Sequence, residues 1–412
     1  MKDSNPIRIV GALLFLPFWH LIGLLPRDRR IWLFGSWFGT KYSDNSRAVY
    51  EYVFSNRPDI RPVWITRSLS VRDRLASEGK PAEYYHSIKG IWYCLRAGAV
   101  FITTTPDETN AKLLNGAYMV WLWHGVGLKY IMADELRWKW RRYSSWKKFK
   151  VRINRFLFPY RDTPHKDCLA NTSDFFTPFF CSGFELPPEK VWVKGYPRND
   201  MFFKEGHENM ILRYRELFPT AKFIIYMPTH RVNARNGIPF NGFEGFGFDA
   251  KAFFETLEKG DFVFFNKGHF FDSCAKIEMA GERFVNLTDS DYDDLYSFIK
   301  DTDILITDFS SIYFDYLLLR KPIILSPFDY DDYIARERGL QFDYNEQEAV
   351  QARDWPSLLR ILNEGLYFTP SEDNLKKFHK YTDGYSCRRY ADRISEILFN
   401  KDDAFAKETE NR

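Results

Sequence analysis

The segment DILITDFSSIYFDY, residues 303–316, shows how this chain folds. The apolar run DILITD (303–308) has the length and the β-branched content of a buried strand. Ser310 and Ser311 then open a helix, and Asp315 lies one turn inside it. A buried strand that passes through a short polar turn into a helix is the repeating element of a parallel sheet. The segment therefore predicts an α/β fold.

Similar apolar runs, separated by helical stretches, recur along the whole chain. The first half contains IWLFGSW (31–37), PVWIT (62–66), AVFITT (99–104) and YMVWLW (118–123). A second series follows with VWVKGYP (191–197), KFIIYMP (222–228), DFVFFNK (261–267) and PIILSP (322–327). This alternation predicts two doubly wound, Rossmann-like domains, residues 28–200 and 201–400, followed by a polar tail at 401–412.

The composition excludes several classes of protein. Of 412 residues, 45% are hydrophobic and 27% charged, which excludes a disordered chain and a membrane protein with many spans. The net charge is only +3, so the overall field does not indicate a nucleic-acid partner. The five cysteines are scattered and never spaced as CxxC, which predicts neither a disulfide framework nor a zinc site and fits a reducing compartment.

An apolar segment at the N-terminus, within residues 1–27, indicates contact with a membrane. Ile9 to Leu25 form a 17-residue run without a charged side chain, which is at the short limit for a spanning helix. Pro17 and His20 weaken a span, and no small-residue cleavage site follows. We expect an uncleaved segment that lies in the membrane interface or re-enters it; a helix packed on the first domain and a true span are the alternatives.

A basic island, residues 137–155, carries nine basic residues, no acidic one and several interleaved aromatic rings. Such a mixture suits an anionic lipid surface, because aromatic rings settle at the interface while cations pair with phosphate. A solvated helix face and a site for single-stranded nucleic acid are alternatives. The apolar N-terminus favours a membrane-binding insertion at 130–160. We therefore expect a peripheral or monotopic protein on the cytoplasmic face of the membrane. The residues predicted to contact lipid are Arg137, Trp138, Lys139, Trp140, Arg141, Arg142, Trp146, Lys147 and Lys148.

The residues that follow the predicted strands carry the chemistry, because ligands of open α/β sheets bind beyond the carboxyl ends of the strands. The run HGVGLK (124–129) offers an imidazole and glycines whose backbone N–H groups can approach an anion. Arg198 in GYPRND (195–200) offers a fork for phosphate. Thr229 to Arg231 and Lys267 to His269 add donors, and hydroxyls at Ser310 and Ser311 suit a phosphate.

Each of these residues also has a purely structural interpretation. His124 could be a buried structural histidine, Arg198 could pair with Asp200, and Ser310 could simply cap a helix. The run DSDYDDLY (289–296) looks like a DxD metal motif, but its acidic residues precede an apolar helical pattern and are interpreted as a helix start. No metal ligand cluster is predicted, and dependence on a divalent metal stays open.

Five motifs in this order, HGVGLK, GYPRND, PTHR, KGH and TDFSSIYFDY, resemble the signature set of the CDP-glycerol glycerophosphotransferase family, the teichoic-acid and capsule polymerases. GSWFGTKYSDNSRAVYEY (35–52) and FHKYTDGYSCRRY (378–390) also resemble family segments, so that the likeness covers roughly residues 30–390. The resemblance implies a glycosyltransferase-B-like pair of domains, with the CDP-polyol donor in the second domain and the acceptor entering through the first.

The resemblance further implies transfer of glycerol phosphate from CDP-glycerol to a hydroxyl of a lipid-linked saccharide or polyol-phosphate acceptor, with release of CMP. CDP-ribitol as donor, a nucleotide-sugar glycosyltransferase and a non-catalytic membrane-binding protein are the alternatives. The first motif usually reads HGTPLK, and its change to HGVGLK leaves the polyol open. Carried over by motif, the donor contacts are His124, Gly125, Val126, Gly127, Leu128, Arg198, Pro228, Thr229, Lys267, Gly268, His269, Ser310, Ser311 and Asp315.

Roles for these residues follow from the chemistry of a pyrophosphate donor. The acceptor hydroxyl must lose a proton while charge develops on the leaving CMP. We expect His124 to be the base. Arg198, Lys267 and His269 would hold the pyrophosphate, helped by the two serines. Asp315 would bind a donor hydroxyl or orient His269.

Overall fold

The computed structural model describes residues 6–140, 143–157, 167–205, 210–229, 231, 240–268, 281–288, 291, 294–337 and 339–399. Two parallel sheets form its framework, which confirms the predicted α/β fold. The first sheet has seven strands in the order β3-β2-β1-β4-β5-β6-β7, and the second has six in the order β10-β9-β8-β11-β12-β13. The first sheet contains β1 Asp28–Phe34, β2 Arg61–Thr66, β3 Ala82–Tyr84, β4 Ala97–Ile102, β5 Tyr118–Trp121, β6 Cys168–Asn171 and β7 Val191–Val193. The second sheet contains β8 Lys222–Met227, β9 Phe262–Asn266, β10 Phe284–Asn286, β11 Ile304–Thr307, β12 Ile323–Leu325 and β13 Val350–Gln351.

The central strands are apolar on both faces because helices cover both sides of each sheet. All six residues of β4 and all four of β11 are buried. The helices of the first half are α1 Pro6–Ile22, α2 Asp44–Asn56, α3 Leu69–Ser77, α4 Ile88–Arg96, α5 Met132–Trp140, α6 Ser145–Leu157 and α7 Thr177–Phe184. Those of the second half are α8 Met210–Leu217, α9 Ala250–Lys259, α10 Leu295–Ile299, α11 Ile312–Leu317, α12 Tyr330–Asp332, α13 Trp355–Glu364, α14 Glu372–Phe378 and α15 Ser386–Phe399.

The strand order fixes where each sheet opens a crevice. In the first sheet the order reverses between β1 and β4, and in the second between β8 and β11. Loops that leave neighbouring strands on opposite faces part at such a point and leave room for a ligand. The segments that follow β1, β4, β8 and β11 are therefore the places to look for a site.

The last helix crosses back to the first domain. Arg57 at the end of α2 contacts Ser395 and Asp392 of α15 through its guanidinium. Asp200 accepts hydrogen bonds from the backbone N–H groups of Ser386 and Cys387 at 2.9 and 2.7 Å and so caps the start of α15. A single sequence boundary near residue 200 does not capture this return.

The apolar N-terminal segment forms α1, which is anchored along one side. Trp19 is buried against Ala111, and its carbonyl accepts a hydrogen bond from Asn115 Nδ2 at 2.8 Å. Leu14 and Phe18 remain 68% and 62% exposed. None of the helices in the described part of the chain combines the length and hydropathy needed to cross a bilayer.

Candidate active site between the two sheets

Arg198 lies at the junction of the two domains and is almost completely buried. It belongs to the 3₁₀ helix Pro197–Phe203. Its Nη1 donates to Asp44 Oδ1 at 2.8 Å and to the His124 carbonyl at 3.0 Å, and its Nη2 donates to Asp315 Oδ2 at 2.7 Å. Asp44 begins α2 of the first domain and Asp315 lies on α11 of the second, so one guanidinium ties the domains together.

The carboxylates of Asp44 and Asp315 keep the guanidinium of Arg198 protonated although it is buried. Burial by itself lowers the pKa of Arg198, but the Asp315 carboxylate, Tyr296 and the Asp44 carboxylate raise it well above its ordinary value. Asp315 also accepts from Asn199 Nδ2 at 2.9 Å and from the Tyr296 hydroxyl at 2.7 Å. We call Arg198, Asp44, Asp315, Asn199 and Tyr296 the interdomain hub.

The contacts of the hub exclude the predicted alternative pairing of Arg198 with Asp200, and they show the protein partners of Arg198 and Asp315. Arg198 does not pair with Asp200, because Asp200 caps α15 instead. Both terminal nitrogens of Arg198 already donate to carboxylates, and three donors occupy Asp315. Direct binding of substrate by these two residues stays a prediction.

Two predicted motifs meet directly across the crevice. Gly125 of HGVGLK adopts φ 154°, a value that favours glycine. A Cβ atom placed on Gly125 would lie 2.3 Å from Ser311 Oγ and 3.8 Å from Arg198 Nη2. Only glycine fits this approach, so the strand end of the first domain rests on Ser311 of the second.

The imidazole of His124 is half-buried beside this contact. Its Nδ1 lies 3.3 Å from the carbonyl oxygen of Thr103, and its ring packs on Trp123 with the centroids 4.0 Å apart. A carbonyl only accepts, so Nδ1 carries the proton in the neutral ring and Nε2 keeps its lone pair. Burial lowers the pKa of His124 to about 4, against the opposing effect of Asp44. The ring is therefore neutral near pH 7 and can accept a proton at Nε2.

The rest of HGVGLK holds the turn in place. Val126 and Leu128 are buried in the core, so their side chains do not face a ligand. The Leu128 carbonyl accepts from the Gln341 backbone N–H at 2.8 Å, and Tyr130 donates to Gly339, which fastens the turn to the second domain. Any donor contact by Val126, Gly127 or Leu128 would be made by the backbone.

Three further motifs share the carboxyl edge of the second sheet. Pro228 and Thr229 follow β8, Lys267 and Gly268 follow β9, and Ser310 follows β11. Both β9 and β11 pair with β8, so these residues lie side by side. The Thr229 backbone N–H donates to Asp308 Oδ1 at 2.7 Å, and the Thr229 hydroxyl is buried without a partner. The Lys267 ammonium donates to the Gly268 carbonyl at 2.8 Å.

Arg231, the last residue of the third motif, forms a second buried cluster. It donates to Asp308 at 2.6 Å and to Asp329 at 2.7 and 2.5 Å. The Phe240 ring stacks on its guanidinium at 3.5 Å. We call Arg231, Asp308 and Asp329 the second-domain hub. Its pairing organises the loop that bears Thr229.

Some predicted residues lie outside the described part of the chain. These are His269 of KGH, His230 of PTHR, and Arg141 and Arg142 of the basic island. The meeting of His124 and His269 at one substrate therefore stays a prediction. The run at 289–296 contains the predicted helix start: Asp294 caps α10 by accepting from the Tyr296 N–H at 2.7 Å. Among the described residues there is no group of three or more His, Cys, Asp or Glu side chains able to hold a metal ion.

The sequence analysis missed several residues that shape the site. Asp44 and Asn45 lie in the segment GSWFGTKYSDNSRAVYEY, which was noted only for its likeness to a family. Asn45 accepts from the Arg198 N–H at 3.0 Å and donates to the Trp123 carbonyl at 2.8 Å. Their position in the sequence could have indicated a role, because this segment follows β1, which borders the crevice of the first sheet.

Two doubly wound domains that face each other across a crevice, with an imidazole on one side and a serine pair on the other, form a glycosyltransferase-B-like fold. The chain belongs to the CDP-glycerol:poly(glycerophosphate) glycerophosphotransferase family, whose sequence model matches residues 18–396. This confirms the family and the enzyme class that the motifs predicted.

The curated relatives belong to cell-wall polymer synthesis. The teichoic acid poly(glycerol phosphate) polymerase of Bacillus spizizenii is 27% identical over 340 residues, which are 79% of this chain and 81% of that protein. The teichoic acid poly(ribitol-phosphate) polymerase of the same organism is 27% identical over 409 residues, 95% of this chain and 61% of that protein. The structure of the wall teichoic acid polymerase TagF superimposes with a TM-score of 0.70 at 22% identity and covers 96% of this chain and 97% of that one.

Proposed function

We propose that this enzyme transfers glycerol phosphate from CDP-glycerol to a hydroxyl of a membrane-linked acceptor, with release of CMP, in the synthesis of teichoic acid or a capsule-type polymer, and that His124 is its base. The observation that carries this proposal is the contact of Gly125 with Ser311, which brings the His124 turn of one domain against the phosphate-type motif of the other.

The reaction is an in-line displacement at phosphorus. His124 Nε2 accepts the proton of the acceptor hydroxyl while its oxygen attacks the β-phosphorus of CDP-glycerol. The bond from that phosphorus to the bridging oxygen breaks, and the electron pair leaves with CMP. The Thr103 carbonyl stabilises the imidazolium that forms, because it keeps its hydrogen bond from Nδ1.

The donor lies along the carboxyl edge of the second sheet in this proposal. The Thr229 hydroxyl, the Lys267 ammonium and the donors of Ser310 and Ser311 would face the negative charge of the pyrophosphate. Fixed donors of this kind commonly lower a barrier by about 3 kcal/mol each. In this proposal the interdomain hub acts by holding the two edges together, because its carboxylates and guanidinium are already paired with each other.

The test is CMP release by the purified enzyme from CDP-glycerol with a lipid-linked acceptor. His124→Ala should lower kcat by about 10²- to 10⁴-fold while donor affinity changes little. His86→Ala is the matched control, since this ring stacks on Tyr85 beside the edge strand β3. Near wild-type turnover in His124→Ala would contradict the assignment of the base. Release of a nucleoside diphosphate from a nucleotide sugar would indicate the glycosyltransferase alternative.

Ribitol phosphate is a second candidate for the transferred group. It is favoured by the match to the poly(ribitol-phosphate) polymerase, which extends over 95% of this chain. Parallel assays with CDP-glycerol and CDP-ribitol discriminate the two, and the larger kcat/KM identifies the donor.

The proposed site of action is the cytoplasmic face of the membrane, reached through a surface formed by α1 and α6. These helices are in contact, and Leu14, Phe18, Trp146 and Phe156 are each more than 60% exposed on them. Lys147 and Lys148 lie over aromatic rings of the basic island, whereas Arg137 and Lys139 are paired with Asp134 and Glu135. This pattern supports peripheral docking on anionic lipid.

Vesicle sedimentation tests the docking. Phe18→Ser combined with Trp146→Ser should weaken binding to vesicles that contain phosphatidylglycerol, because each change removes a large apolar contact with the interface. Leu217, 70% exposed on α8, gives the control Leu217→Ser. Equal binding by the double variant and the control would contradict this surface.

A further inference from the structure

Glu108 is a carboxylate in the first domain that is completely buried and has no role in the reaction described above. It ends the 3₁₀ helix Pro106–Glu108, which follows β4. Its oxygens accept from the Thr103 N–H at 2.7 Å, the Thr103 hydroxyl at 2.9 Å, the Thr104 N–H at 2.6 Å and the Thr104 hydroxyl. Burial raises the pKa of Glu108 to about 7, while these hydrogen bonds act in the opposite direction. Burial of a carboxylate costs free energy of desolvation, and four hydrogen bonds to one side chain offset this cost and fix the turn.

The turn that Glu108 fixes is the one that holds His124. Thr103 donates both its N–H and its hydroxyl to Glu108, and its carbonyl faces His124 Nδ1 at 3.3 Å. The same two threonine hydroxyls accept the backbone N–H groups of Trp37 and Phe38 at 3.4 Å. Glu108 therefore ties together the loops after β1 and β4 at the crevice, and Thr103 links it to the imidazole.

We propose that Glu108 is a positioning residue that acts through Thr103 to hold the His124 imidazole with its proton on Nδ1 and its lone pair on Nε2. This inference rests on the proposed function, in which Nε2 of His124 is the base. Loss of the Glu108 clamp lets the Thr103 carbonyl turn away, so the ring populates the other tautomer and leaves its productive orientation. A base displaced by about 1 Å can lose about 10²-fold in rate.

Two kinds of variant test the clamp. Glu108→Gln keeps the shape, but in either orientation its amide NH₂ faces a backbone N–H that can only donate, that of Thr103 or that of Thr104. Thr103→Val removes the hydroxyl that Glu108 binds, and Thr103→Ser restores it as the matched control. We expect kcat to fall about tenfold to 10²-fold in Glu108→Gln and Thr103→Val, with the donor dissociation constant within twofold of wild type, and to stay near wild type in Thr103→Ser.

Epistasis and a spectroscopic readout separate positioning from a general structural role. In the His124→Ala background, Glu108→Gln should cause no further loss of the residual rate. ¹⁵N NMR of histidine-labelled protein, assigned with His124→Ala, should show the Nδ1–H tautomer in the wild type and a mixture in Glu108→Gln.

The outcomes that overturn the inference differ from those that overturn the function. Wild-type kcat in Glu108→Gln and Thr103→Val, or an equal further loss in the His124→Ala background, overturns the clamp and leaves the proposed function intact. Full activity of His124→Ala overturns the assignment of the base and with it the catalytic meaning of the clamp. If Glu108→Gln does not fold, the threonine pair decides: equal kcat in Thr103→Val and Thr103→Ser overturns the inference.

Discussion

Two arginines in predicted phosphate-binding motifs have similar surroundings and different consequences. Arg198 lies between Asp44 and Asp315, and Arg231 lies between Asp308 and Asp329. Both guanidiniums are buried, with 5% and 2% of the side chain exposed. The carboxylates of Arg231 belong to one domain, whereas those of Arg198 belong to two. The interdomain hub therefore fixes the crevice itself, and the second-domain hub fixes only one of its walls.

The comparison explains why a motif arginine need not touch phosphate. An arginine in a crevice would bind any anion within reach, and here carboxylates of the protein already occupy that role. In the proposed site these pairs position their neighbours, Thr229 and the serine pair, which would then face the anion. The two hubs can be separated by experiment.

The largest expected effect comes from removal of either arginine. Arg198→Leu leaves Asp44 and Asp315 buried without a cation, and loss of one partner of a buried pair costs about 3–5 kcal/mol. Arg231→Leu should cost a similar amount through Asp308. Urea unfolding measures both losses. We expect Arg198→Leu to release the two domains into separate unfolding transitions, and Arg231→Leu to destabilise the second domain alone.

A single coincident transition at the wild-type midpoint in Arg198→Leu would show that the hub does not couple the domains. Lys380→Ala is a suitable control, since its ion pair with Asp174 is largely exposed and surface pairs contribute about 0–1 kcal/mol.

A smaller effect is expected from the tyrosine hydroxyls that support each hub. Tyr296 donates to the Asp315 carboxylate at 2.7 Å, and Tyr344 donates to the Asp308 backbone carbonyl at 2.9 Å. A hydrogen bond to a charged group contributes about 1.5–3 kcal/mol and one to a neutral group about 0.5–1.5 kcal/mol. Tyr296→Phe should therefore lower the free energy of unfolding more than Tyr344→Phe. Equal losses in the two variants would show that the hydrogen bond from Tyr296 stabilises the fold no more than one to a neutral carbonyl.

The sequence was sufficient for the α/β architecture and for the family. The alternation of apolar runs predicted two parallel sheets but missed the short strands β3, β6, β10 and β13, and DILITDFSSIYFDY predicted β11 and α11 correctly. Motifs at strand ends are local, so HGVGLK and the serine pair were found without knowledge of the fold. The family assignment followed from their order.

The partners of each side chain could not be predicted, because pairing depends on residues distant in the sequence. Arg198 and Asp44 are separated by 154 positions, and Arg198 and Asp315 by 117. The burial of Glu108 was invisible for the same reason, since PDE after a strand is typical of an exposed turn. The return of α15 to the first domain depends on a cap between Asp200 and Ser386, 186 positions apart.

The smallest effect concerns the pH dependence of turnover. His124 lies beside the interdomain hub and not beside the second-domain hub, so the pH profile reports on the interdomain hub alone. A base is active when unprotonated, and burial lowers the pKa of His124 to about 4 in the free enzyme. The value of kcat/KM should therefore fall less than about twofold between pH 7.5 and 5.5, whereas a base with the ordinary histidine pKa of about 6.5 would give a fall of about tenfold.

Once the anionic donor lies beside the ring it favours the imidazolium, so the acidic limb of kcat should lie at higher pH than that of kcat/KM. Initial rates at subsaturating and saturating CDP-glycerol measure the two limbs. An acidic limb of kcat/KM at pH 6.5 would show that the hub leaves the ring solvated.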